Sequence, residues 1–170
     1  MPNEPEIWLR GPLPNVPALL QPAAHALLQA CLDAEKALLN FPGTLLWERP
    51  AGLASVGFHL RHMAGVQDRM LTYARGQPLT DEQFTYLRAE GEPSQQTVAD
   101  LLLYLQTQTN HTLSYLATVD PGTLVDYRPV GRAALPSTVG GLLFHAAEHN
   151  MRHAGQLLVT ARILTVPTRT

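Results

Sequence analysis

The run Phe144-His145-Ala146-Ala147-Glu148-His149-Asn150-Met151-Arg152-His153-Ala154-Gly155-Gln156 places three histidines at intervals of four residues. A helix turns about 100° per residue, so a step of four drifts by only about 40°. All three imidazoles therefore point from one side of one helix. A second pair, His59 and His62, lies in another helical stretch, Ser55-Val56-Gly57-Phe58-His59-Leu60-Arg61-His62-Met63-Ala64-Gly65. Imidazoles converging from two packed helices supply what a divalent metal site needs. Burying several neutral imidazoles together is costly unless each finds a partner, and one shared ion satisfies them at once.

Working outward, the chain resolves into four periodic segments. Leu20, Ala24, Leu27, Cys31, Ala34, Leu38 and Phe41 form a stripe with alternating steps of four and three, stopped by Pro42-Gly43. A second helix is expected from Ser55 to Arg75, with Ser55 as N-cap and Gly76 and Pro78 ending it. A short helical turn is expected near Asp81–Leu87 in a polar linker. Pro93-Ser94 opens a third helix, with Ser94 as its N-cap, running through Leu101, Leu105 and Leu116 to Asp120-Pro121-Gly122. Residues 121–136 read as an irregular connection. The fourth helix runs from about Ser137 to Leu164. Four such segments imply an all-α four-helix bundle, and the long connections leave its threading open.

Length and composition fit one domain over residues 1–170, with the prolines at 2, 5, 12, 14 and 17 making residues 1–17 an extended N-terminal arm. A net charge of −2 gives no nucleic-acid or membrane-surface footprint. No apolar run is long enough for a membrane span, and the N-terminus lacks the basic start and apolar stretch of a signal peptide. The single cysteine, Cys31, cannot form an internal disulfide, which fits a reducing, cytoplasmic compartment. It lies in the apolar stripe of the first helix and reads as a buried structural thiol.

Spacing alone does not say which histidines would bind. Three residues at i, i+4 and i+8 span about 12 Å of helix axis. That is too long for one ion with bonds near 2 Å, so one of His145, His149 and His153 must stand outside the coordination sphere. His59 and His62 pose the same choice. His149-x-x-x-His153 has the bite of a zinc-binding HExxH helix, but Asn150 replaces the glutamate and removes that chemistry's general base. Asp68 and Glu148 read as solvated carboxylates, Tyr73 and Tyr104 as core or rim, and Arg152 and Gln156 as possible pocket residues.

Both histidine segments resemble the two signature stretches of the DinB/YfiT-like superfamily, the most specific part being His149-x-x-x-His153-x-Gly155-Gln156. The loop carrying Trp47 also resembles the family pattern, and the likeness runs from about residue 20 to 164. The resemblance implies a four-helix bundle with a divalent metal held by three histidines. By their match to the motifs these are His62, His149 and His153, with His59, His145 and Gln156 as neighbouring or pocket residues.

Three histidine ligands leave at least one open coordination position, which favours a reactive ion over a purely structural one. The resemblance implies a metal-dependent enzyme, of the kind that activates a low-molecular-weight thiol for transfer to a small electrophile. A hydrolytic variant would activate water instead. The competing reading is a stress-associated metal- or ligand-binding bundle without turnover, and a third is an empty histidine pocket. Zinc or nickel is the expected ion, although three imidazoles also accept iron, manganese or copper. The expected partners are a small-molecule substrate and a second copy of the chain as a homodimer, with no nucleic acid and no membrane.

Overall fold

The computed structural model describes residues 4–166. The chain is mostly helical. Four long helices, α1 (Gln21–Ala37), α2 (Val56–Ala74), α4 (Val98–Leu116) and α5 (Val139–Thr165), frame it, and a short α3 (Asp81–Ala89) lies between α2 and α4. α1 and α2 each pack chiefly on α4 and α5, so the helices follow one another around the core in the order α1, α4, α2, α5. The connections from α1 to α2 and from α4 to α5 therefore carry the chain across the core, whereas α3 leads from α2 to its neighbour α4. No helix among the described residues is long and apolar enough to cross a membrane.

The apolar stripes meet where their periodicity directs them. Ala30, Ala34, Leu60, Met63, Leu101, Leu105 and Leu157 fill one end of the core. Leu27, Leu71, Leu116, Leu142 and Leu143 fill the other. Each fully buried leucine contributes about 1.5–3 kcal/mol relative to an exposed one. Gln67, Thr109 and Asn150 are also buried and make a polar contact across the core. The Gln67 amide donates to Thr109 Oγ1 and to Asn150 Oδ1, both at 3.1 Å. The Asn150 amide donates to the Ala146 carbonyl at 2.8 Å. Asn150 is thus committed to the core, not to the site its neighbour His149 faces.

Several boundaries differ from the sequence expectation. α1 ends at Ala37 rather than running to Phe41; Asn40, at φ 61°, turns the chain, yet Leu38 and Phe41 stay buried beyond the helix. Ser55 does cap α2, accepting from the Phe58 amide at 3.1 Å. The third long helix begins three residues later than expected. Thr97, not Ser94, is its N-cap, in a reciprocal pair with Asp100 that satisfies two otherwise orphaned amides. Similarly, Thr80 and Gln83 box the start of α3. The Gln83 amide then reaches Asp68 and Thr72 on α2, both at 2.8 Å, so Asp68 anchors α3 instead of lying free in solvent.

Residues 121–136 are not irregular. A 3-10 turn at Pro121–Val125 leads into an antiparallel hairpin of β1 (Tyr127–Val130) and β2 (Leu135–Thr138), in which Pro129 faces Pro136. With only two strands, each proline can turn its missing donor outward. Arg128 donates from Nε to the Ala74 carbonyl at 3.0 Å and ties the hairpin to the end of α2. Thr138, the last strand residue, caps α5. Within residues 4–17 the chain is not purely extended. Ile7–Arg10 form a 3-10 turn, and Gln21 and Gln29 of α1 hold the segment through its backbone. Residues 1–3 of the expected arm lie outside the described residues.

The position of the α4 cap is testable. Thr97→Ala should lower the unfolding free energy by about 1 kcal/mol in urea denaturation, whereas Ser94→Ala should stay within about 0.5 kcal/mol of the parent. The reverse ranking would put the start of α4 back at Ser94.

Candidate metal centre

α2 and α5 lie against each other, and their histidine faces meet. His59 and His62 come from α2, His149 and His153 from α5. Ring nitrogens of His62, His149 and His153 lie within 4.8 Å of one another. His62 Nε2 and His149 Nε2 are 2.9 Å apart, as are His59 Nδ1 and His153 Nδ1. Phe58 stacks on the His62 ring at 5.0 Å between centroids and closes one side.

The residue that fixes this geometry is Glu90, which sequence reasoning left in a polar linker. It follows α3 directly and is 2% exposed. One carboxylate oxygen takes His62 Nδ1 at 2.7 Å; the other takes Arg69 at 2.6 Å. Arg61 holds the surrounding loop by donating to the carbonyls of Ala89 at 2.7 Å and Glu92 at 3.0 Å. The Arg61 guanidinium also sits over Trp47, 5.0 Å from the ring. A Cβ at Gly65 would fall onto Glu90 Oε1, Arg69 and Tyr86 together, so glycine is what allows the carboxylate to approach α2. Likewise Gly57 lets Trp47 lie flat against the start of α2.

Proton counting shows what the cluster lacks. A neutral imidazole has one N–H. His62 commits its proton to Glu90 through Nδ1, so its Nε2 presents a lone pair to His149. If His149 answers with an N–H from Nε2, its own Nδ1 becomes a bare acceptor. That Nδ1 is buried without a partner among the described residues. A cation held by His62 and His149 would use a lone pair from each ring; His149 Nδ1 would then be an N–H, still without a partner among the described residues. The donor set therefore fits a borderline divalent ion.

Protons do not compete well for these nitrogens. Burial, then the neighbouring His62 charge, pushes His59 down to about 4. His149 also falls to about 4, through burial first and then His62, His145 and Arg152, against an opposing effect of Glu148. His153 falls to about 3, through burial and the surrounding imidazoles and Arg152. At neutral pH all three keep a free lone pair, the form a metal takes.

The other expected residues are placed as follows. His145 Nδ1 contacts Glu148 Oε1 at 2.8 Å, and Arg152 donates to the other Glu148 oxygen at 2.7 Å. Glu148 is thus partly buried and bridges two neighbours, not merely a solvated face. His145, Glu148 and His149 form a second group with mutually close donor atoms, at the rim of the first. Gln156 is exposed and lines a cavity beside His59. Tyr73 is partly buried and Tyr104 lies at the surface, where its ring meets Tyr86 at 5.7 Å. Cys31 is buried, and its thiol is pushed up to about 12 by burial and by Glu35, so it is no nucleophile.

Comparison with known proteins agrees with this architecture. No functionally curated protein matches the chain. A crystal structure of a conserved protein from Enterococcus faecalis superposes with a TM-score of 0.66 at 23% identity, covering 85% of this chain and 95% of that one. At that identity the likeness speaks for the fold. The DinB superfamily profile matches residues 23–157, which include every residue of the histidine cluster and Glu90. The chain belongs to the DinB superfamily.

Proposed function

We propose that this chain is one DinB-type four-helix-bundle domain with a Pro-rich N-terminal arm, acting as a divalent-metal-dependent enzyme whose ion is held by His62, His149 and His153. The observation that carries the reading is the mutual approach of their ring nitrogens within 4.8 Å, with one ring anchored from behind by a buried, ion-paired carboxylate. Zinc or nickel suits three imidazoles. The ion supplies Lewis acidity at an open coordination position, which lowers the pKa of a thiol or water there.

The protein's own residues then do three things. Glu90 accepts the His62 Nδ1 proton, which fixes the tautomer and turns Nε2 inward. Arg69 holds Glu90 in place through its other oxygen. Phe58 and the Trp47 loop screen the cluster from one side. We read the reaction as transfer of a low-molecular-weight thiol to a small electrophile, since activation by the ion spares the protein a separate base. The adjoining cavity favours this over a bundle that only stores metal, because a storage site needs no room for a second molecule.

Three outcomes test the reading. Untagged protein prepared without chelators should carry close to one divalent ion per chain by elemental analysis, and His149→Ala/His153→Ala should carry none. Absence of ion from the parent even after incubation with zinc, nickel and manganese would overturn it. Glu90→Gln should weaken ion affinity by about 10–100-fold in a chelator competition; an unchanged affinity would remove Glu90 from the site.

The third outcome concerns pH. Folded His59 and His149 titrate near 4 and His153 near 3, against an ordinary 6.5 in the unfolded chain. Between these limits the unfolded chain binds more protons, so stability rises with pH. The contribution is complete above about pH 6.5 and is lost as pH falls through 4. The metal-free protein should melt at a constant temperature from pH 8 to 7 and progressively lower below pH 6.5. His149→Ala should flatten this slope in thermal denaturation with chelator present.

A further inference from the structure

A cavity of about 510 Å³, open to solvent, lies along α5 next to the histidine cluster. Leu53, Ala54 and Val159 form its apolar walls; His59, Arg152 and Gln156 form its polar end. Leu53 and Val159 are 59% and 55% exposed, so each shows a large apolar surface that nothing among the described residues covers. His59 is the exception, 3% exposed and in contact with both the cavity and His153.

The direction of one proton decides what this polar end can bind. His59 Nδ1 and His153 Nδ1, 2.9 Å apart, can hold only one proton between them. When His153 gives Nε2 to the ion, its own proton sits on Nδ1 and is donated to His59 Nδ1. A neutral His59 that accepts at Nδ1 carries its own proton on Nε2. It becomes a donor at the cavity and nothing else. Arg152 has only donors; one arm is engaged by Glu148, and the rest of its fork remains. The Gln156 amide can turn its NH2 the same way. A polar end made of donors beside an apolar wall is complementary to an sp² oxygen on an apolar body.

We propose that this cavity binds the organic co-substrate, an apolar molecule carrying a carbonyl oxygen, as in a ketone, an ester or a carboxylate. The oxygen lies at His59 and Arg152 and the apolar body against Leu53 and Val159. The inference rests on the metal reading above, because the ion sets the direction of the His153–His59 proton. It adds the substrate class and a residue, His59, that touches it. An amine of equal size meets the same apolar wall but also the Arg152 guanidinium charge, with the Gln156 and Thr160 oxygens as the side-chain acceptors at the cavity.

The test uses the full chain loaded with zinc and three probes of matched size: 4-phenyl-2-butanone, 4-phenylbutyrate and 4-phenylbutylamine. Binding is read by ligand-observed NMR titration, and zinc content is measured on the same samples. The ketone or the carboxylate should bind at least tenfold more tightly than the amine, and the better of the two identifies the form of oxygen preferred. Val159→Trp, at an exposed position, should fill the cavity and reduce that binding at least tenfold with zinc content unchanged. His59→Phe should abolish the preference over the amine while the ring shape is kept. Zinc at one per chain with no preference for oxygen, or with binding unaffected by Val159→Trp, overturns the cavity proposal alone. Absence of zinc overturns the metal reading and, with it, the proton direction used here.

Discussion

Everything at this site depends on the contact between His62 Nε2 and His149 Nε2, 2.9 Å apart across the α2–α5 packing. Two imidazole lone pairs do not approach to that distance without positive charge or a proton between them. The proton solution is poor, because it leaves His149 Nδ1 a bare acceptor in a buried place, at a cost of about 1–3 kcal/mol. Burial also depresses the basicity of His149 and His153, so a second proton does not relieve the strain near neutral pH. A divalent cation would take the place of the shared proton and use the lone pairs of both rings, while His149 Nδ1 has no partner among the described residues in either case. The apo arrangement is therefore best understood as a donor set whose complement is an ion.

Glu90 explains why the contact is held. A carboxylate that is 2% exposed needs compensation, and it receives it from Arg69 on one side and His62 on the other. Removing either partner would strand a buried charge, which costs several kcal/mol. The loop carrying Glu90 is in turn fastened by Arg61 to the carbonyls at Ala89 and Glu92. Thus α2 supplies a site histidine, the arginine that neutralises its supporting carboxylate, the arginine that secures the loop, and the glycine that makes room for it. Four functions lie within nine residues of one helix, at 61, 62, 65 and 69. The spacing of four and three puts them on neighbouring faces.

Much of this was legible in advance, and the residues show why. The stripes through Leu27–Ala34, Leu60–Met63, Leu101–Leu105 and Leu142–Ala146 follow helical periodicity strictly, because a buried helix face tolerates few exceptions. The histidines were legible for the same reason. Glu90 was not, because an acidic residue in a polar linker looks solvated until the arginine 21 residues away is seen to reach it. A signal did exist: Gly65 in the middle of a strong helix destabilises it by about 1 kcal/mol relative to alanine, which asks for a close neighbour. The hairpin was hidden by Pro129 and Pro136, which argue against strands except in a two-stranded ribbon. The start of α4 was misplaced because Pro93-Ser94 is a conspicuous opening, while the Thr97–Asp100 box, three residues on, is the one the helix uses.

The same logic separates the two histidines that flank the cluster. His59 and His145 sit three and four residues before His62 and His149, in equivalent places on their helices, yet their surroundings differ. His145 turns to Glu148 at the half-exposed rim, where a carboxylate shared with Arg152 holds it. Its partner is an anion, and it stays at the rim with its ring against His149. His59 is buried against His153 with no acid beside it. Its partner is another imidazole, so the ring can only pass on what His153 presents. An ion on His153, as proposed above, would set which nitrogen of His59 bears the proton, and with it the polarity of the neighbouring cavity. The two positions look equivalent in sequence, and it is the presence or absence of one carboxylate, Glu148, that makes one an outer brace and leaves the other between His153 and the cavity.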